Sequence, residues 1–157
     1  MKTLDVEAVQ AFVLVADLNS FTRAAEAMAL MEATHLAEKP VGEMSAGETR
    51  RVMIARALVH RPEMLLLDEP SNALDLRAQR ELRETLRRLA QQGTGLLLVT
   101  HHLPDVLPEI DRVILMRQGR IVGDGAKREL LTAERLSELF GRSLDVVERE
   151  EYFHALA

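Results

Sequence analysis

Two hydrophobic patterns recur along the chain, and each predicts one kind of secondary structure. Continuous apolar runs at 64–68 and 96–100 are typical of short strands buried on both faces, as in a parallel sheet. Apolar residues at three- and four-residue spacing predict amphipathic helices. These helices are expected at 5–18, 20–34, 46–60, 75–91, 103–109, 126–132, 133–140 and 146–155. A hairpin is expected at 113–124, around the turn residues Gln118 and Gly119.

This order of elements predicts a small α/β domain. We expect a three-layer-like arrangement, with a mainly parallel sheet of about four strands and an all-helical amino-terminal segment packed on it. Residues 1–28 form the helical segment and residues 29–157 the α/β segment. No Pro-, Gly- or Ser-rich linker separates them, so one folded unit is expected. The total of 157 residues suits a single domain.

Composition and charge argue against several classes of protein. The chain has no cysteine, which excludes disulfides and thiolate metal sites and suits a reducing cytoplasm. The net charge of −5 disfavours binding to the phosphates of DNA. No stretch reaches the apolar length of a membrane span, so no direct membrane insertion is expected.

Two adjacent acids, Asp68 and Glu69, end the first apolar run. Open α/β sheets bind their ligands at the carboxyl ends of the strands. An ionised carboxylate without a partner is costly in such a place, whereas a divalent metal and a water to be activated would explain the pair. Ordinary surface acids at the end of a strand are the alternative interpretation.

Three further motifs accompany this strand. Met44-Ser45-Ala46-Gly47-Glu48 precedes it, Ser71-Asn72-Ala73-Leu74-Asp75 follows it, and the second apolar run leads to His101. In this order the motifs resemble the carboxyl half of an ABC-type ATPase nucleotide-binding domain, over residues 29–140. The first motif is similar to the family signature Leu-Ser-Gly-Gly-Gln, Leu65 to Glu69 to the Walker B strand, Ser71 to Asp75 to the D-loop, and His101 to the switch histidine.

The resemblance implies a role for each motif. Glu69 would be the general base that polarises water, and Asp68 would hold Mg²⁺ through water. His101 would contact the γ-phosphate of ATP. The nucleotide-binding residues would be Ser45, Ala46, Gly47, Glu48 and Asp75. They would face a nucleotide on an opposite subunit, so the implied partner is a second copy of the chain or another ABC-type nucleotide-binding domain.

Structural roles compete with several of these assignments. Ser45 and Glu48 have the spacing of a capping box, in which each side chain satisfies a backbone N–H at the start of a helix. This role and nucleotide contact can coexist. His101 could instead cap the helix expected near Leu103. The arginines of the helix at 46–60, among them Arg50 and Arg51, are interpreted as a solvated face.

The phosphate-binding loop of the family, Gly-x-x-x-x-Gly-Lys-[Ser/Thr], has no counterpart in the sequence. No glycine is followed by lysine in the 157 residues. The nearest imitation, Gly42 to Thr49, has Glu48 where the lysine belongs, which would place negative charge against a polyphosphate. ATP and Mg²⁺ are therefore the cofactors implied by resemblance, but we expect this chain alone to bind neither and to be inactive as an ATPase.

The amino terminus resembles a second, unrelated family. Apolar residues recur at helical spacing at Leu4, Val9, Phe12, Val13 and Ala16. Ser20 to Ala25 is similar to the second helix of the helix-turn-helix domain of LysR-type transcriptional regulators. The recognition helix should follow there, but ATPase-like residues 29–38 follow instead. The chain is interpreted as a hybrid of designed, recombined or fused origin, with DNA binding as a disfavoured alternative function.

Overall fold

The protein is described by a computed structural model that covers residues 21–156. The chain divides into two compact units, and the boundary between them falls between Leu97 and Leu98. Both units contain helices and strands. In the part of the chain that is described, no helix is both long enough and apolar enough to cross a membrane.

Helices and strands follow one another along most of the described chain. The helices are α1 (Phe21–Leu30), α2 (Ala46–Leu58), α3 (Leu76–Gln91), α4 (Lys127–Leu130) and α5 (Ala133–Phe140). The strands are β1 (Met64–Asp68), β2 (Gly95–Val99), β3 (Arg112–Arg117), β4 (Arg120–Ala126), β5 (Asp145–Arg149) and β6 (Tyr152–Leu156). Short 3₁₀ turns lie at Thr34–Leu36, Val41–Glu43 and Leu103–Asp105. The strand predicted at 64–68 is confirmed, and the helices predicted at 20–34, 46–60 and 75–91 are present but shorter.

The first unit is built around the packing of its helices. α1 and α2 pack against each other, and α2 also contacts α3. The core is aliphatic, because the sequence has no tryptophan and few aromatic residues. Its buried apolar side chains include Met28, Met31, Leu36, Val52, Ile54, Leu58, Leu65, Leu82, Leu86 and Leu89. On α3 these buried positions share one face, while arginines and glutamates occupy the other.

The strand β1 is not buried on both faces, which corrects the expectation from its apolar run. Leu65 is 3% exposed, but Leu66 is 70% exposed and Met64 is 61% exposed. β1 pairs with β2 in a two-stranded sheet, and Leu97 of β2 is also exposed. Only one face of this small sheet therefore contributes to the core of the described chain.

The predicted mainly parallel sheet of about four strands is not confirmed. Among the described residues the six strands form three separate two-stranded sheets, β1–β2, β3–β4 and β5–β6. Two of these are antiparallel hairpins. The hairpin predicted at 113–124 is confirmed as the β3–β4 pair.

The second unit consists of two hairpins with two short helices between them. β3 and β4 pair from Arg112↔Ala126 to Arg117↔Arg120. Gln118 and Gly119 both have positive φ at their turn, as the two-residue hairpin loop predicts. A hydrophobic cluster joins the elements through Leu115, Leu130, Leu131, Leu136, Leu144 and Phe153.

The helix predicted at 146–155 is wrong. Residues 145–156 form the antiparallel pair β5–β6, in which Val147 faces His154 and Glu148 faces Phe153. β-branched and aromatic residues favour strands, and burial of Phe153 in the hydrophobic cluster stabilises the hairpin. The predicted helix at 103–109 is reduced to the 3₁₀ turn Leu103–Asp105, since Pro104 and Pro108 restrict a continuing helix.

The amino-terminal expectations lie largely outside the described residues. The predicted helix at 5–18 falls there, as does most of the segment interpreted as regulator-like. α1 runs continuously across the proposed junction between residues 28 and 29. The division at this position remains a prediction.

Candidate functional site

The signature-like motif forms the start of α2. The Ser45 hydroxyl accepts a hydrogen bond from the backbone N–H of Glu48 at 3.2 Å. The Glu48 carboxylate accepts one in return from the backbone N–H of Ser45 at 2.7 Å. These reciprocal bonds are the predicted capping box. The amides of Ala46 and Gly47 lie in the first turn, where a helix offers no internal acceptor.

Lys39, in the loop before α2, pairs with the capping residue Glu48. Its ammonium donates to both carboxylate oxygens of Glu48, at 3.0 and 2.8 Å. The Lys39 hydrogen bond, followed by that from the Ser45 backbone, lowers the pKa of Glu48 to about 2. Glu48 is therefore ionised at neutral pH, and its charge is balanced by a neighbouring cation.

The D-loop-like motif ends at the start of α3, beside the start of α2. The Asp75 carboxylate caps α3 by accepting the backbone N–H of Ala78 at 2.8 Å. A Cβ placed on Gly47 would lie 3.3 Å from the Cβ of Ala78. The signature-like and D-loop-like residues are thus brought together at two adjacent helix starts.

The two acids after β1 lie in different surroundings. Asp68 is exposed, whereas Glu69 is partly buried. Glu69 has a φ of 44°, a left-handed conformation that is strained for a residue with a side chain. The Glu69 carbonyl accepts from the Asn72 N–H at 3.1 Å and from the Arg50 guanidinium at 3.4 Å. Arg50 of α2 therefore contacts the turn that carries the candidate general base.

Arg51 is not part of a freely solvated helix face, which corrects the prediction for it. Its guanidinium pairs with Glu81 of α3, which also accepts from Arg77 at 2.8 Å. The Arg77 hydrogen bond, followed by the charge of Arg51, lowers the pKa of Glu81. This charged cluster joins α2 to α3 near the two helix starts.

His101 belongs to the second unit. It is exposed, and its ring lies 4.0 Å from that of His102. The alternative interpretation, in which His101 caps the helix expected near Leu103, is not confirmed. The residue at the start of the 3₁₀ turn Leu103–Asp105 is His102, which makes no side-chain capping bond. Thr100 instead anchors this region by accepting the His102 N–H and donating to the buried Asp105 carboxylate, each at 3.0 Å.

The residues of the first unit fit part of an ATP–Mg²⁺ site. Carboxylate oxygens such as those of Asp68 and Glu69 are the ligand type that Mg²⁺ takes. The start of α2 offers backbone N–H groups and the positive end of a helix dipole, which suit a phosphate. The sequence supplies no Gly-Lys loop for the remaining phosphates. The residues therefore fit the part of the site that faces a nucleotide. They do not include the loop that binds its phosphates.

Sequence reasoning missed two residues near these motifs. Lys39 lies nine positions before Glu48, beyond the range of helical spacing rules. Ala78 gives no chemical signal, since its contribution is the small side chain that admits Gly47. Neither contact follows from a local pattern.

Similarity to known proteins agrees with this arrangement. Residues 3–72 match the ABC transporter family. The hemin import ATP-binding protein HmuV of Rhodococcus jostii is 37% identical over 124 residues, which cover 79% of this chain and 42% of that protein. HmuV of Hahella chejuensis is 39% identical over 127 residues, covering 76% of this chain and 50% of that protein. A metal-chelate type ABC transporter in an inward-facing conformation matches with a TM-score of 0.82 and 27% identity, covering 100% of this chain and 69% of that one.

These similarities define an ABC ATPase-type domain, related to the nucleotide-binding domains of ABC transporters. The chain spans about half the length of the curated relatives it matches. The family match begins at residue 3 and includes the segment interpreted as regulator-like. None of these matches is to a LysR-type regulator, and the hybrid interpretation is not confirmed.

Proposed function

We propose that this chain supplies the signature helix and the D-loop that complete an ABC-type ATPase site across an interface. A second polypeptide with a Gly-Lys phosphate loop supplies the nucleotide. The observation that carries this proposal is the approach of Gly47 to Ala78, which places Ser45 to Glu48 next to the Asp75 cap. Two helix starts then lie close together in one compact unit, and the positive end of a helix dipole suits an anion.

Each residue has a defined task in this proposal. Ser45 and Gly47 present the start of α2 to the γ-phosphate, and Asp75 holds the start of α3. Glu69 would polarise water only at a nucleotide seated beside β1, and the sequence has no Gly-Lys loop to seat one. Asp68 would hold Mg²⁺, which when bound neutralises phosphate charge. By resemblance to the switch histidine, His101 of the second unit would contact the γ-phosphate of a nucleotide.

The chain alone is inactive under this proposal, because no glycine in its 157 residues is followed by the lysine of a phosphate loop. The partner is either a second ABC-type nucleotide-binding domain that carries the loop or, for association without hydrolysis, another copy of this chain. DNA binding through the amino-terminal helices is favoured by no contact in the described residues.

The test is nucleotide-dependent association. This chain is mixed with an ABC-type nucleotide-binding subunit that has an intact Gly-Lys loop and a general base changed from Glu to Gln, so that ATP is held and not hydrolysed. Sedimentation velocity should show a complex with ATP and Mg²⁺ and none with ADP. Absence of an ATP-dependent complex would overturn the proposal. A Ser45→Ala and Gly47→Val double variant should abolish the complex, whereas Arg80→Met, on the exposed face of α3, should not.

A further inference from the structure

Lys39 and Glu48 form a charge-balanced pair at the helix start that the proposed function assigns to phosphate. Lys39 contacts both Glu48 carboxylate oxygens, at 3.0 and 2.8 Å. Both side chains are partly buried, with 34% and 26% of their surfaces exposed. A bidentate, partly desolvated pair of this kind is stronger than an exposed surface pair.

The loop holds Lys39 in place for this contact. The Lys39 backbone N–H donates to the Leu36 carbonyl at 3.0 Å, at the end of the 3₁₀ turn Thr34–Leu36. Pro40 follows with a φ of −58° and begins the next 3₁₀ turn. Lys39 is thus anchored on both sides by ordered backbone, which reduces the entropy lost when its side chain pairs with Glu48.

Glu48 alone would be a poor neighbour for a polyphosphate. Its carboxylate caps Ser45 at the point where the helix dipole is most favourable to an anion. An unbalanced negative charge there would repel an approaching phosphate. A glutamine can make the same capping bond without charge, so the charge of Glu48 needs compensation that the cap itself does not provide.

We propose that Lys39 is a positioning residue for nucleotide, which neutralises Glu48 and so allows the start of α2 to receive the terminal phosphate of a nucleoside triphosphate held by a partner subunit. This inference rests on the proposed function and specifies its electrostatics. Lys39 acts through Glu48 and is not assigned a contact with the phosphate.

Charge-changing variants in the association assay test this role. Lys39→Met leaves Glu48 unbalanced and should weaken the ATP-dependent complex about tenfold at low salt. Glu48→Gln keeps the capping bond and removes the negative charge beside the phosphate, so it should tighten the complex. The double variant Lys39→Met/Glu48→Gln restores neutrality and should recover affinity to within about twofold of the wild type. Arg80→Met makes the same charge change on an exposed surface pair and is the matched control.

The pattern of the double variant separates electrostatics from structure. If Lys39 merely stabilises the loop, the double variant will bind as weakly as Lys39→Met, and this result would overturn the inference. The defect of Lys39→Met should also shrink as salt rises from about 0.05 to 0.5 M, because screening weakens the repulsion. A salt-independent defect counts against it too. If the wild type forms no ATP-dependent complex, the proposed function fails along with the inference; if the wild type binds and Lys39→Met binds equally well, the inference alone fails.

Discussion

The carboxylate of Glu48 should make stability depend on acid pH. The Lys39 hydrogen bond, followed by that from the Ser45 backbone, lowers its pKa from 4.5 to about 2. A group whose pKa is lower in the folded state stabilises the fold above its unfolded pKa, and the stabilisation is lost as pH falls toward the folded pKa. The contribution should therefore be complete above about pH 5 and disappear between about pH 4.5 and 2.

Thermal unfolding of the wild type and of Glu48→Gln across this range measures the effect. Other carboxylates paired in the fold, such as Glu81 and Asp124, titrate in both proteins and cancel in the difference. The wild type should lose its advantage over the variant as pH falls. Parallel stability curves from pH 5 to about 2.5 would contradict the assigned pairing.

The turn between β5 and β6 stores backbone strain in two glutamates. Glu150 has a φ of 51° and Glu151 a φ of 66°, a combination that two-residue hairpins usually fill with Asn-Gly. Replacing Glu151 with glycine should raise the free energy of unfolding by about 1 kcal/mol, since glycine adopts this conformation without a clash. Urea unfolding measures the change. Glu63→Gly, at a position without positive φ, should destabilise the protein; stabilisation by both changes would contradict the argument.

The packing of two elements, α2 against α3, depends on the small residue at their crossing. A Cβ on Gly47 would meet the Cβ of Ala78 at 3.3 Å, so a larger side chain must push the helices apart. Gly47→Val should lower the free energy of unfolding by about 1–3 kcal/mol through overpacking. Adding Ala78→Gly opens space and should recover part of the loss, as chemical unfolding of the single and double variants will show. Additive losses in the double variant would place the strain elsewhere.

The elements that were predictable are those whose signals are local. The spacing of Ser45 and Glu48 predicts the start of α2, and Gln118-Gly119 predicts the β3–β4 turn. The sequence of the β5–β6 hairpin predicts a helix, because a short apolar run with few turn residues fits both the helical and the strand periodicity. The hairpin is stabilised by burial of Phe153 among residues from other elements. Because these residues are distant in the sequence, the local pattern does not predict the hairpin.

At the scale of the whole molecule, pairing between distant segments limits what the sequence can predict. The apolar runs indicate two strands. Their exposure, and their pairing with only each other among the described residues, depend on which elements are available to cover them. The residues of the candidate site also fall into two groups, those that a local pattern predicts and those that it does not. Its acids and caps were visible as motifs, whereas the contacts of Lys39 and Arg50 join residues nine and nineteen positions apart.

We expect the chain by itself neither to bind nor to hydrolyse ATP. MgATP at about 5 mM should neither shift the melting temperature nor be hydrolysed above background, because ligand stabilisation requires a dissociation constant near or below the ligand concentration. Asp68 and Glu69 alone do not provide this affinity, since Mg²⁺ retains its waters unless phosphates share the ion. Differential scanning fluorimetry and a phosphate-release assay measure both outcomes.

Glu69→Gln is the matched variant for this measurement. It should be indistinguishable from the wild type in both assays, because a general base has no effect where no triphosphate is seated. Hydrolysis by the wild type that disappears in Glu69→Gln would show that arginines or amides of this chain form a phosphate site of their own. That result would contradict the proposed function, in which this chain contributes its signature helix and D-loop and a partner binds the nucleotide.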